Sequence, residues 1–291
     1  MLFTIEHTTE YRFTRPVFFE PHELRYHPRT DGAQRVLNFV LQIEPAPAGT
    51  TQGFDTEGNL VTMAWFDDVH DRMVLRATSE METLRDNPYD FLLTPANQRL
   101  PIGYQPWEAA ALAPAIRRSA VPIHVDPARD LAEQLRVAAR GELVPFLARL
   151  SETICHRFRV IHRENGSPWP PPTTIEQRQG ACRDLAVLFI DICRTVGLAA
   201  RFVSGYHAGN VEQDRHFLHA WAEVYIPGAG WRGFDPTHGM AVADRHVSVA
   251  AAADPPNAAP VIATYRGNNV EAELLADVAI QTNSAVALVA C

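Results

Sequence analysis

From Leu2 to about Met81, apolar and polar positions alternate in short runs, the period of a strand with one buried face. Phe3, Ile5 and His7 set the pattern, and Arg35-Val36-Leu37-Asn38-Phe39-Val40-Leu41-Gln42-Ile43 and Met73-Val74-Leu75-Arg76-Ala77-Thr78 repeat it. Asp55-Thr56-Glu57-Gly58-Asn59 lies between them and reads as a hairpin turn. Several short strands at close spacing predict a small antiparallel sandwich over residues 1–85.

Residues 86–125 carry Asn-Pro, Thr-Pro, Leu-Pro and Gln-Pro with little periodicity, and are expected to be a linker to a second domain over 126–291. There the period becomes helical. Asp126-Pro127 supplies an N-cap and a first-turn proline for a helix to about Arg140, and Leu143, Phe146, Leu147, Leu150 and Ile154 mark a second helix. Asn165-Gly166-Ser167-Pro168-Trp169-Pro170-Pro171-Pro172 is expected to be a stiff loop, because each proline removes a donor and restricts its predecessor. The next helix, from Ala181 to about Val196, is apolar on all sides and so central, and Gly197 ends it. Strands follow at Ala200–Tyr206, Ala220–Ile226 and Trp231–Phe234, with one more expected at Val278–Thr282. A helix feeding an antiparallel sheet makes the fold class α+β.

Composition narrows the function. With 46% apolar and 21% charged residues the chain is an ordinary folded protein, long enough at 291 residues for two cores. A net charge of −8 without a basic cluster argues against a nucleic-acid partner. The amino terminus has no signal-peptide pattern and no run of eighteen apolar residues occurs, so a soluble, cytoplasmic protein without a membrane partner is expected. Cys155, Cys182, Cys193 and Cys291 show no CxxC pair, which leaves no disulfide framework and no zinc cluster to expect. No cofactor is expected either.

Cys182 carries the chemistry. It falls in the first turn of the central helix beside Arg183, and a helix amino terminus and a neighbouring cation both favour a thiolate. Gly180 removes bulk where a substrate backbone would pass, and first-turn amides are free to face a developing oxyanion. The other three cysteines read as structural. Strand alternation sets His219 with Trp221, Glu223 and Tyr225, opposite the packing face of Ala220, Ala222, Val224 and Ile226. His219 and Asp235 lie almost symmetrically about Pro227, so a hairpin brings them close, provided the register is not slipped by one residue. The alternative for Asp235 is a turn residue before Pro236.

Gly180-Ala181-Cys182-Arg183-Asp184, Arg201-Phe202-Val203-Ser204-Gly205-Tyr206, His219-Ala220-Trp221-Ala222-Glu223-Val224-Tyr225 and Gly230-Trp231-Arg232-Gly233-Phe234-Asp235-Pro236-Thr237 together resemble the bacterial transglutaminase-like superfamily. The first 80 residues resemble the amino-terminal region that often precedes that domain. The resemblance implies a papain-like core behind an all-β, sandwich-like domain. It also implies Cys182 as nucleophile, His219 as base then acid, and Asp235 as orienting carboxylate, acting on a peptide or protein amide through a thioester.

Cysteine-dependent hydrolysis is the first expectation, because no calcium-loop pattern of the regulated cross-linkers occurs. Acyl transfer to amines is the second, and a non-catalytic peptide- or glycan-binding module the third. A zinc site from Cys182, His219 and Asp235 is chemically conceivable but lacks clustered ligands. Gln177 as a second oxyanion donor is set aside as a solvated loop glutamine. Trp221 and Tyr206 read as wall or packing, and His216 and His238 as surface residues.

Overall fold

A computed structural model describes residues 1–118, 126–163, 166–209 and 217–283. Cys291 and His216 lie outside them. The amino-terminal region folds as β1 (Leu2–Phe19), β2 (His22–Leu24), β3 (Gln34–Glu44), β4 (Gly49–Phe54), β5 (Leu60–Trp65) and β6 (Val69–Thr83). β3, β6 and β1 form one antiparallel sheet, and β4, β5 and β2 a second. Val17, Phe19, Met73 and Leu75 from the first sheet meet Leu24 and Ala64 from the second in one buried cluster. The alternation seen in the sequence is thus a sandwich with its apolar faces inward.

The segment read as a linker holds a helix, α1 (Pro106–Ile116). Pro106 sits at its first position, where the missing amide costs nothing, and Glu108 accepts the Gln105 amide at 2.9 Å. Gln-Pro is a helix start here, not a break. α2 (Pro127–Ala138) and α3 (Leu143–Arg157) follow, then β7 (Arg159–Val160), α4 (Pro171–Gln177) and β8 (Gln179–Gly180). The proline-rich loop therefore stops at Pro170, and Pro171 and Pro172 open α4.

α5 (Cys182–Thr195) is the central helix that its all-round apolarity predicts, and every residue from Leu185 to Cys193 except Val187 is buried. Gly197, at φ 83°, supplies the left-handed residue that closes it, and the Leu198 amide reaches back to the Cys193 carbonyl at 3.0 Å. The chain then forms β9 (Ala200–His207), β10 (His219–Ile226), β11 (Gly230–Asp235), β12 (Met240–Ala241) and β13 (His246–Ala252). Their sheet has the order β12, β11, β10, β9, β13. Ala220, Ala222, Val224 and Ile226 pack with Leu185, Leu188, Phe189 and Ile192 in one core.

β14 (Val261–Ile262), β15 (Tyr265–Arg266) and β16 (Ala272–Asn283) return to the amino-terminal sheets. The strand expected at Val278–Thr282 is present within β16, and it pairs with β1 in register from Leu2↔Asn283 to Phe13↔Ala272. Sequence order groups this tail with the downstream domain, yet its hydrogen bonds go to the upstream one. Val278 contributes: it joins Phe3, Ile5, Met81, Tyr206, Val247 and Val249 in a buried seam between the sandwich and the β9–β13 sheet.

Side-chain amides close that seam. β13 is an edge strand, and its outer backbone groups are taken up by Gln34, which exchanges two bonds of 2.8 Å with Ser248, and by Asn59, which does the same with Ala251 at 2.8 and 2.9 Å. Two carboxamides thus stand in for a neighbouring strand and protect the edge.

Gly205 on β9 is fixed by close approach. A Cβ there would lie 2.2 Å from the Val247 carbonyl oxygen and 2.6 Å from the Trp221 ring. Gly205→Ala is expected to cost about 3 kcal/mol in urea denaturation, the upper range for overpacking, because one clash is with backbone. Gly53→Ala, with open space around it, serves as the near-neutral control. Equal stability of the two variants would contradict this packing.

Candidate active site

The start of α5 is held from three sides. β7 and β8 pair in parallel and fix the approach, with the Ile161 amide on the Gly180 carbonyl at 3.0 Å. Asp184, fully buried, accepts the Ala181 amide at 2.7 Å, an N3 carboxylate satisfying an orphan amide at the helix start. Its other oxygen takes the Trp169 amide and the Arg163 guanidinium, both at 2.7 Å. The proline-rich loop is therefore tied to the turn that carries Cys182. Gly180 has a different reason from the expected substrate passage: a Cβ there would meet the Asp184 Cβ at 2.8 Å.

Cys182 is half-buried at the first position of α5. On β10 and β11, Ala222 pairs with Phe234, so continuing the ladder sets Asp235 opposite Trp221 and one diagonal from His219 on the same face. His219 Nε2 and Asp235 Oδ2 are 2.8 Å apart. Cys182 acts on the same ring by hydrogen bond and charge, and with Nε2 on Asp235 the nitrogen left for a thiol is Nδ1. The structure thus brings the three sequence-predicted residues together.

Burial alone would lower the His219 pKa, but the Asp235 carboxylate, in charge and hydrogen bond, and Cys182 after it raise it to about 10. Burial would likewise raise Asp235, yet the charge of His219 and three imidazole hydrogen bonds hold it well below the usual carboxylate range. The outcome is a buried imidazolium–carboxylate pair. Cys155 and Cys193 are different: burial, and for Cys155 the Asp235 charge as well, raises both thiols.

Asp235 has more partners than the sequence suggested. His238 Nδ1 at 2.7 Å and His246 Nε2 at 3.0 Å share Oδ2 with His219, while Oδ1 takes the Thr237 amide at 2.9 Å. His238, read as a surface residue, is indeed exposed and is also a direct partner of the carboxylate. Its spacing of three residues from Asp235, across a Pro-Thr turn, was the available signal. His207 completes the group, its ring 4.3 Å from His238 and 4.4 Å from His246. Burial first, then His246, His238 and His219, lowers the His207 pKa to about 3, so it stays neutral.

The other residues weighed from sequence lie apart. Gln177 is exposed at the end of α4. Trp221 is buried against Val203 and Ala251, and Tyr206 packs in the seam with its hydroxyl 2.9 Å from His7 Nδ1. For a metal, the described residues group His219, Asp235 and His238, with ligand atoms within 4.8 Å of one another and without Cys182. Both imidazole nitrogens already donate to the carboxylate, so a cation would first have to displace two protons.

Residues 3–82 match the bacterial transglutaminase-like N-terminal region, and residues 129–236 match the transglutaminase-like superfamily. Residues 129–236, the region that carries the site, belong to the transglutaminase-like superfamily. The transglutaminase-like match ends one residue beyond Asp235 and includes Cys182 and His219. An uncharacterised protein of Mycobacterium tuberculosis is 28% identical over 302 residues, spanning 92% of this chain and 90% of that protein. A protein-glutamine gamma-glutamyltransferase of Pseudomonas aeruginosa is 28% identical over 164 residues, 50% of this chain and 24% of the enzyme. In fold, a protein of Cytophaga hutchinsonii provisionally described as a cysteine protease superposes with a TM-score of 0.68 at 18% identity, covering 98% of this chain and 92% of that one. The papain-like core with its all-β amino-terminal region is thus a shared architecture. Among the described residues no helix is long and apolar enough to cross a membrane.

Proposed function

We propose that this transglutaminase-like protein is a cysteine-dependent amide hydrolase with Cys182 as nucleophile, His219 as acid and base, and Asp235 as the group that orients His219. The observation that carries the proposal is the 2.8 Å contact from His219 Nε2 to Asp235, which leaves Nδ1 for the thiol. The thiolate attacks the amide carbonyl carbon, forming a C–S bond and an oxyanion within reach of the first-turn amide of α5. As the C–N bond breaks, the His219 imidazolium gives its Nδ1 proton to the departing amine, leaving a thioester. Water then loses a proton to Nδ1 and attacks the thioester, releasing the carboxylic acid and restoring the thiolate. Asp235 remains ionised throughout, holding Nε2–H.

Peptide-like substrates suit the surroundings. Phe217, half exposed two residues before His219, contacts the His162 ring at 4.5 Å, and Arg163 lies 4.5 Å over Trp169. A half-buried Cys182 is open to water, which favours hydrolysis over transfer. The similarity to the Pseudomonas aeruginosa gamma-glutamyltransferase favours a second reading, in which an amine intercepts the same thioester.

The test is iodoacetamide alkylation of Cys182 at pH 6.5, read by peptide mass spectrometry. Wild type is expected to react about tenfold or more faster than His219→Ala, since an unassisted thiol is only about 1% ionised there. Equal rates would remove the activated pair. With a glutamine-containing peptide and a primary amine together, hydrolysis yields the free acid and transfer yields the substituted amide, and the product mass distinguishes them.

A further inference from the structure

Behind Asp235, on the side of the sheet away from α5, lies a cavity of about 260 Å³ between the loop at Arg29–Gln34 and the faces of Trp221, Trp231 and His246. Its size suits a small metabolite, below the usual range for drug-sized ligands. The groups around it are unevenly satisfied. Arg201 is matched by Glu223 at 2.7 Å, and Asp31 uses Oδ1 on the Ala33 and Gln34 amides at 2.7 and 3.3 Å. Arg29 has no such match: its side chain bonds the neutral Asn59 carbonyl at 2.6 Å, and its buried Nε has no partner among the described residues. Burial first, and Arg201 second, oppose its charge, while Glu223, Asp31 and Asp55 support it without pairing with it among the described residues. A guanidinium so placed is a carboxylate receptor, with planar donors and a desolvation cost that an anion would offset.

Two more buried atoms are unpartnered among the described residues. Trp221 Nε1, on a side chain 1% exposed, can only donate. His246 is 4% exposed, and its Nε2 faces the Asp235 carboxylate at 3.0 Å. In the neutral ring Nε2 therefore carries the proton and Nδ1, also unpartnered, is an acceptor. Arg29 and Trp221 thus call for an anionic acceptor, and His246 calls for a donor beside it. Trp231 and Val242 add an apolar wall that inorganic phosphate would leave unused.

We propose that this cavity binds a small α-hydroxy or α-amino carboxylate, its carboxylate on Arg29 and Trp221 and its hydroxyl or ammonium on His246. The ligand would sit one imidazole away from Asp235, on the sheet face that carries Trp221 and His219. Unlike the hydrolase proposal, this site needs no turnover.

The experiment is calorimetric titration of the full-length Cys182→Ala protein with L-lactate, L-alanine, propionate and inorganic phosphate. Lactate or alanine is expected to bind with a Kd of about 1 mM or tighter. Propionate, without the donor, is expected to bind about tenfold more weakly, as is lactate or alanine to Trp221→Phe, which keeps an aromatic side chain and loses the N–H. Arg29→Gln is expected to abolish binding, and Trp221→Phe stands as the conservative variant if Arg29→Gln does not fold. No binding by lactate or alanine, an affinity unchanged in Trp221→Phe, equal affinity for propionate, or preferential binding of phosphate would each overturn the assignment. Failure of the alkylation test at Cys182 would leave this result unaffected, and the reverse also holds.

Discussion

Cys182→Ala gives a folded protein that forms no acyl-enzyme and turns over amide substrate about 10⁴-fold more slowly or worse, the scale seen when a nucleophile acting in concert with its base is removed. The alternatives among the described residues are poor. Cys193 is fully buried and its thiol is raised well above the ordinary range, while Cys155 is raised by burial and by the Asp235 charge. Neither is part of an activated pair. Stability should change by no more than about 1 kcal/mol, because Cys182 is half-buried at a helix start and the Asp184 hydrogen bonds that fix the turn remain. Intact-protein mass spectrometry with an activated ester, beside thermal melting, reads both effects. Turnover persisting in the purified variant would overturn the proposed function.

Asp235→Ala should be the more damaging change to the fold. The wild-type carboxylate is fully buried and takes His219, His238 and His246 at 2.8, 2.7 and 3.0 Å. Removing it leaves the imidazoles without their acceptor and His219 without its counter-charge, a loss of about 3–5 kcal/mol for a broken buried pair. The pH dependence follows from the two shifts. His219 rises from 6.5 to about 10 in the fold, so its stabilisation is complete below 6.5 and lost as pH rises towards 10. Asp235 is depressed below 3.8, so its contribution is present above 3.8 and lost as pH falls through the folded value. The gap between wild type and variant in urea unfolding is therefore widest between 3.8 and 6.5 and narrows at alkaline pH. A gap of constant size from pH 6 to pH 9.5 would show that the pair is not charged.

What could be read from residues alone was the part governed by local chemistry. Cys182 at a helix start, His219 on the polar face of a strand and Asp235 across a glycine-rich turn each follow from neighbours within a few positions. α1 was missed because Gln105-Pro106 read as a break, though the proline merely occupies a position that needs no amide. His246 and His207 were out of reach for another reason. They meet as a register pair of β13 and β9, and the ladder carries an irregularity between Ser248 and Ala250 that no periodicity reveals. The destination of the tail was equally hidden, since alternation in β16 states that it is a strand but not which edge it joins.

The pairing of β1 with β16 has a consequence for biosynthesis. Leu2 precedes its partner Asn283 by some 280 positions, so one flank of β1 stays unpaired while the whole papain-like core emerges from the ribosome. An open strand edge of that length invites pairing with another nascent chain. The sandwich is thus begun before the papain-like core and completed after it, and the chain's yield in a cell depends on what shields that edge in the interval.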